Sequence, residues 1–94
     1  MKKNKKKETL KDKINSQINH VKRRAKERFS LILNDNHIND MVTKIINGDC
    51  TFVKEQPHSK TVWDIDFMGK QMRIVFNEIT CHPITIMYRF GHIY

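Results

Sequence analysis

Apolar residues recur every three or four positions through the first third of the chain, from residue 10 to residue 29. This spacing places them on one stripe of an α-helix: Leu10, Ile14, Ile18, Val21, Ala25 and Phe29. Thr9 is a suitable N-terminal cap, and neither glycine nor proline interrupts the run. The pattern therefore predicts a helix from Thr9 to Phe29, with the chain leaving it at Ser30.

A second amphipathic segment follows after a short apolar link. Its apolar positions again repeat at three and four: Ile38, Met41, Val42, Ile45 and Ile46. Asn34 or Asp35 can cap its start, and Gly48 supplies the left-handed residue that commonly ends a helix. The sequence thus predicts a second, shorter helix.

Beyond Gly48 the period of the pattern changes from helical spacing to two. Alternating side chains predict strands over residues 50–55, 60–68, 71–76 and 84–88. The segment Met68-Gly69-Lys70 predicts a tight hairpin between the second and third strands. A longer polar loop from Asn77 to Pro83 is expected before the last strand.

The order of these elements predicts an α+β fold in which two N-terminal helices pack on one face of a four-stranded, mainly antiparallel sheet. With 94 residues the chain is long enough for one domain, expected over residues 9–94 behind a basic flexible tail at residues 1–8. The other face of the sheet is expected to stay uncovered and to show polar side chains: Asp64, Asp66, Gln71, Arg73 and Thr85.

The net charge of +8 is concentrated near the N-terminus. Residues 1–28 hold twelve of the eighteen Lys and Arg residues but three of the ten acids, so the remainder of the chain is slightly acidic. Clustered cations gain free energy by releasing counterions from a phosphate backbone, which makes nucleic acid the leading candidate partner. For the lysine run at residues 1–7 alone, a solubilising tail is an equal alternative.

The first predicted helix places a polar and basic row beside its apolar stripe: Lys13, Gln17, His20, Arg24 and Arg28. Five cations lie within seven residues with one acid, Glu27, among them: Lys22, Arg23, Arg24, Lys26 and Arg28. Their mutual repulsion indicates that an anion binds there. The alternative is a solvated helix flank in which Glu27 pairs with Arg23 or Arg24. The expected nucleic-acid-binding residues on this helix are these five, together with Lys13.

Several other classes of function find little support. There is no apolar run long enough to cross a membrane and no signal peptide, so a cytoplasmic protein without a membrane partner is expected. Cys50 and Cys81 are expected to be free thiols. Together with His58 and His82 they are potential zinc ligands, but their spacing is poor, so no metal and no cofactor are expected. Glycine-rich phosphate loops, nucleophile elbows and helix-turn-helix motifs are absent from the sequence.

The stretch HVKRRAKERFSL, followed by a short helix ending at Gly48 and by VWDIDFMGKQMRIVFN and ITIMY, resembles small bacterial and phage proteins. Those proteins share a His-x3-Arg-Ala-x-Glu-Arg-Phe pattern, two helices and a four-stranded sheet, and resemble in turn the RelE, barnase and colicin group of metal-free ribonucleases. The resemblance covers roughly residues 20–88 and implies cleavage of RNA by attack of a 2′-hydroxyl on its own phosphate.

That reaction needs a base, an acid and cations for the charge of the transition state. The resemblance implies His20 for proton transfer and Arg24, Arg28 and Arg73 for the phosphate charge. Lys60 and Thr85 are implied as lesser contributors that bind a non-bridging oxygen. Asp64 and Asp66 depart from the pattern, since they place negative charge on the sheet face that should receive RNA.

Three functions remain open from the sequence. The first is a small RelE-like, RNA-directed protein, either a ribonuclease toxin neutralised by an antitoxin or a binder that keeps the fold. The alternative is a non-catalytic, phage-type inhibitor whose partner is a host nucleic-acid machine. A third is a DNA-binding architectural protein. Whether the protein is an enzyme is left undecided.

The charge asymmetry predicts a strong salt dependence of RNA binding. If five or six cations of residues 11–28 contact phosphates, affinity should fall by about two to three orders of magnitude between 50 and 200 mM salt. Fluorescence anisotropy on a labelled oligonucleotide measures this, and an affinity that stays flat over that range contradicts the nucleic-acid interpretation.

Overall fold

The computed structural model describes residues 9–88, which form two helices followed by four strands. The elements are α1 (Leu10–Phe29), α2 (Asp35–Ile46), β1 (Thr51–Gln56), β2 (Lys60–Phe67), β3 (Lys70–Asn77) and β4 (His82–Tyr88). The predicted α+β class and the helix and strand order are confirmed. The predicted tail at residues 1–8 lies outside the described residues.

Local side-chain hydrogen bonds set the ends of both helices. Thr9 Oγ1 accepts a hydrogen bond from Asp12 N at 3.1 Å, and Ser30 ends α1 in the left-handed region at φ 56°. At the start of α2, Asn34 Oδ1 accepts from His37 N at 2.9 Å, while His37 Nδ1 accepts from Asn34 N at 3.0 Å. This reciprocal pair is a capping box with histidine in the place of the usual glutamate.

The sheet is an antiparallel meander in the order β1-β2-β3-β4. Met68 and Gly69 form the two-residue turn between β2 and β3, with φ of 51° and 77°. Positive φ at both positions is what the favoured hairpin turn requires, because its twist matches that of the strands. This hairpin confirms the one predicted at residues 68–70.

The last strand begins at His82, two residues earlier than predicted. Asn77 Oδ1 accepts hydrogen bonds from the backbone N–H groups of Ile79, at 2.8 Å, and Thr80, at 3.2 Å, which closes a tight turn. A tight turn needs fewer residues than the predicted loop. Pro83 is accommodated because the register with β3 shifts there and β4 lies at the edge of the sheet.

The core joins both helices to the sheet. Its buried side chains come from α1, α2, the link between them and three strands: Val21, Ala25, Leu33, Ile38, Met41, Ile45, Ile65, Phe67, Met72, Ile74, Phe76 and Ile86. Ile74 lies opposite Trp63 on one side and Ile86 on the other. Each fully buried aliphatic side chain contributes about 1.5–3 kcal/mol, so this cluster stabilises the fold.

The sheet positions that alternate with this core are less polar than predicted. Val62 and Val75 face each other there and are buried, Val62 with no exposed surface. On the same side Asp66 and Gln71 are exposed, as the sequence indicated. The expected polar face therefore contains a buried apolar pair at its centre, and alternation alone does not reveal this burial because it does not distinguish a buried valine from an exposed one.

Shortening a central core residue should destabilise the protein measurably. Ile74→Val removes one methylene from a side chain with no exposed surface and should lower the free energy of unfolding by about 0.5–1.5 kcal/mol. Urea unfolding followed by circular dichroism measures the change. Ile79→Val is the matched control, since Ile79 is 70% exposed, and an equal loss in both variants would contradict this position of the core.

Candidate nucleic-acid interface

A cleft of about 410 Å³ lies where the N-terminal half of α1 meets the turns at one end of the sheet. The β1–β2 turn, the region that joins β3 to β4, and one flank of α1 contribute its walls. Its lining residues are Lys13, Gln17, His58, Ser59, Lys60, Asn77, Ile79 and Ile84. The cleft therefore brings together parts of the chain that are up to 71 residues apart in sequence.

Hydrogen bonds hold the three walls in place. Thr80, which is buried, donates from Oγ1 to Oε1 of Gln17 at 2.9 Å and so ties the β3–β4 turn to α1. Glu78 N donates to the carbonyl oxygen of Ser59 at 2.9 Å, which ties the same turn to the β1–β2 turn. The cleft is therefore a built feature of the fold.

The β1–β2 turn gives His58 an unusual placement. Gln56 pairs with Lys60, so residues 57–59 form the loop, and both His58 and Ser59 have positive φ, at 67° and 62°. Few non-glycine residues adopt this conformation, which costs on the order of 1 kcal/mol, and such residues cluster at functional sites. The turn places His58 in the lining of the cleft, together with Lys60.

The cleft is cationic. Lys13 and Lys60 line it together with His58, and no Asp or Glu lines it within residues 9–88. In the same described range, none of these three side chains forms a hydrogen bond or an ion pair. Cations gathered in a concave site with no acid among them raise the local concentration of anions.

The basic row continues from the cleft along α1. Arg23 Nη2 lies 3.0 Å from His20 Nδ1, and Arg24 Nη1 forms an ion pair with Glu27 Oε1 at 2.7 Å. Burial of the ring, followed by the charges of the nearby arginines, lowers the pKa of His20. The lowered pKa favours the neutral ring, which can accept a hydrogen bond from Arg23 at Nδ1.

Two other cations of α1 have intramolecular partners. Lys22 Nζ forms an ion pair with Asp35 Oδ1 at 2.7 Å, which links α1 to the start of α2. Arg28 Nη1 donates to the carbonyl oxygen of Ile86 in β4 at 2.5 Å, and the neighbouring Phe29 ring packs 5.2 Å from the ring of Tyr88. Arg28 thus anchors α1 to the sheet, a structural role that the sequence did not indicate.

The structure does not place Arg73 and Thr85 in one site with His20 and Arg24. Both lie at sheet positions that alternate with the core residues Ile74 and Ile86, on the side away from the residues that pack against α1. Arg73 forms a two-point contact with Asp64, Nε to Oδ1 at 2.7 Å and Nη2 to Oδ2 at 3.1 Å. That hydrogen-bonded pair raises the pKa of the Arg73 guanidinium. The four residues predicted as catalytic are therefore not gathered into one site.

The cleft combines two predicted cations with residues that sequence reasoning did not select. Lys13 and Lys60 were expected to bind nucleic acid but were not expected to share a site. His58 was considered only as a poor zinc ligand, and Ser59 was not considered. The sequence feature that could have indicated His58 and Ser59 is the short interval between two predicted strands, because it predicts that residues 57–59 form a turn.

The described residues show two further absences. No helix within residues 9–88 is both long and apolar enough to cross a membrane. No group of three or more His, Cys, Asp or Glu side chains in this range is arranged to hold a metal ion.

Comparisons with protein-family models, with curated proteins and with solved structures find no significant match to this chain. The resemblance to the RelE, barnase and colicin group consequently rests on the sequence motif and element order alone.

Burial of the ring and the charges of the nearby arginines should lower the pKa of His20 measurably. In NMR titrations His20 should titrate below the ordinary value of about 6.5, and Arg24→Gln should raise its pKa because it removes the largest of the repelling charges. The unfolded chain binds this proton more readily than the folded chain. The free energy of unfolding should therefore decrease as the pH falls from about 6.5 towards the lower, folded-state pKa. Lys70→Gln is the control, and an equal rise in both variants contradicts this assignment.

Proposed function

We propose that this protein binds single-stranded RNA, with a backbone phosphate held in the cleft between Lys13 and Lys60. The observation that carries the proposal is the convergence of these two lysines in a concave site whose described lining contains no acid. Neither lysine has an ion-pair partner within residues 9–88, so neither must break a contact there to receive a phosphate. Lysine binds phosphate well as a compact point charge.

The RNA strand then follows the basic flank of α1 from Lys13 towards Arg24. These residues are eleven positions apart, which corresponds to about 16 Å along a helix. The Arg24–Glu27 pair is solvent-exposed, with side chains 33% and 49% accessible. Exposed pairs of this kind contribute only about 0.2–1 kcal/mol, so a phosphate can replace Glu27 as the partner of Arg24.

The proposal includes the layer arrangement expected from the sequence, with both helices on the same face of the sheet. Its support is the single core that contains Val21 of α1, Ile38 of α2 and Ile74 of β3. With α2 in that layer, one flank of α1 remains accessible above the free edge of β4, where the cleft begins.

Metal-independent cleavage of the bound RNA is a second candidate function, and one observation favours it. His58 lies in the same cleft as the two lysines and has no hydrogen-bond partner within residues 9–88. A base in that position can take the proton of a 2′-hydroxyl while its oxygen bonds to phosphorus. The bond to the 5′-oxygen then breaks, and an acid protonates the leaving oxygen. His58 is better placed for this than His20, whose Nδ1 is close to Arg23.

Removing the cleft lysines should weaken RNA binding. Lys13→Gln and Lys60→Gln should each lower affinity for an oligouridylate about fivefold at 0.1 M salt, because each variant releases about 0.7 fewer counterions on binding. The slope of log affinity against log salt should fall by about 0.7 per lysine. Fluorescence anisotropy with the full chain measures both quantities.

Lys70→Gln is the matched control for these variants. It makes the same change of charge at the start of β3, next to the turn at the opposite end of the sheet. Equal losses in all three variants would mean that only net charge matters, and the cleft assignment would fail. A folded protein that binds no RNA would instead favour the inhibitor interpretation.

Cleavage of RNA is tested separately from binding, by the chemical nature of the RNA ends that it produces. Incubation with labelled RNA in EDTA should produce ends bearing 2′,3′-cyclic phosphate, and His58→Gln should abolish them while RNA affinity changes by less than about twofold. His20→Gln is the comparison variant and should retain activity. If His20→Gln abolished cleavage and His58→Gln did not, His20 would be the residue that transfers the proton, as the sequence motif indicated, and the assignment to His58 would be wrong.

A further inference from the structure

A second cavity, of about 510 Å³, lies on the opposite flank of α1 from the cleft, between α1 and the N-terminal part of α2. Ile18 and Ile38 supply its apolar surface, and Ile38 is buried. Its polar lining residues are Asn15, Asn19, Asn39, Lys22 and Asp35. We call this cavity the amide groove. Its volume falls within the range of about 300–1,000 Å³ typical of small-molecule sites.

Three exposed asparagines from two helices line the amide groove. Asn15 and Asn19 are four residues apart on α1 and therefore share one face, while Asn39 comes from α2. Within residues 9–88 none of the three side chains has a hydrogen-bond partner. They do not stabilise helix ends or turns there, so their donors and acceptors are available to a ligand.

The charges in the amide groove differ from those in the cleft. Its one cation, Lys22, forms an ion pair with Asp35, so the described lining carries one charge of each sign. An anion gains little from such a site. A neutral, planar molecule that has an apolar face and hydrogen-bonding edges fits it better, because the face can lie against the half-buried Ile18 while the edges meet the amides.

We propose that the amide groove binds one unpaired adenine base of the RNA, which makes it a specificity site. This inference rests on the proposed RNA binding. Each carboxamide offers one donor side and one acceptor side. A single carboxamide forms two hydrogen bonds with adenine N6 and N7. Unstacked bases of single-stranded RNA are commonly read in this way at their edges.

Adenine suits this groove better than uracil or guanine does. The N6 amino group has two hydrogens, so adenine presents a donor beside an acceptor on both of its edges, at N7 and at N1. Amides on the α1 wall and on the α2 wall can therefore read both edges at once. Uracil has a single N–H group, so it cannot offer a donor beside an acceptor to two carboxamides at once. Guanine presents two adjacent acceptors, N7 and O6, which favour a cation as their partner.

NMR titration with nucleosides tests the groove without the phosphate cleft. In ¹⁵N-labelled full-length protein, adenosine should shift the side-chain amide resonances of Asn15, Asn19 and Asn39, and uridine at the same concentration should shift them at least threefold less. The amide of Asn36, which is exposed on α2 and does not line the groove, is the internal control. Equal effects of the two nucleosides, or none, overturn the proposal.

Oligonucleotide affinity separates this inference from the proposed function. The protein should bind an eight-residue oligoadenylate about tenfold more tightly than the matching oligouridylate, as expected for at least one base read at two points. Replacing Asn19 and Asn39 together by Ala should remove the preference and leave oligouridylate binding unchanged, whereas Asn36→Ala should retain it. Equal affinity for both oligomers in the native protein overturns the adenine site while RNA binding stands. Loss of all RNA binding overturns the proposed function, and the nucleoside titration then decides the groove.

Discussion

The attachment of α1 to the end and the free edge of the sheet determines what the protein presents to a partner. Two polar contacts fix it, from Thr80 to Gln17 near the middle of the helix and from Arg28 to the carbonyl oxygen of Ile86 at its end. Between them Val21 and Ala25 are fully buried. The narrow apolar stripe leaves both flanks of α1 accessible, and each flank borders a cavity.

The sequence predicted those parts of the structure that depend on neighbouring residues. Helical spacing identified both helices, and Thr9 and Ser30 marked the ends of α1 because capping is a local interaction. The predicted element boundaries were less accurate where a side chain forms hydrogen bonds with the backbone of a turn. Asn77 tightens the turn before β4, so that strand begins earlier than the sequence indicated.

The candidate site was only partly predictable, because its residues come from distant parts of the chain. The charge distribution indicated Lys13 and the family resemblance implied Lys60, but their position in one cleft depends on the β1–β2 turn lying next to α1. Periodicity contains no information on such a contact. The same limit applies to Arg28, which was expected to bind phosphate: only the tertiary structure shows that its guanidinium reaches the free edge of β4.

In the proposed RNA complex, the two cavities on either flank of α1 restrict the path of a strand that occupies both. Such a strand crosses the exposed back of α1, where Asp12 and Glu27 carry negative charge near the two ends. Between them lies Arg23, exposed and in contact with His20 rather than with a carboxylate. Glu27 is paired with Arg24 and has the exposed Lys26 beside it, so the C-terminal half of this surface attracts phosphate and the crossing that costs least passes over Arg23. A base reaching the amide groove from that point approaches beside Asn19, one helical turn away on the same side.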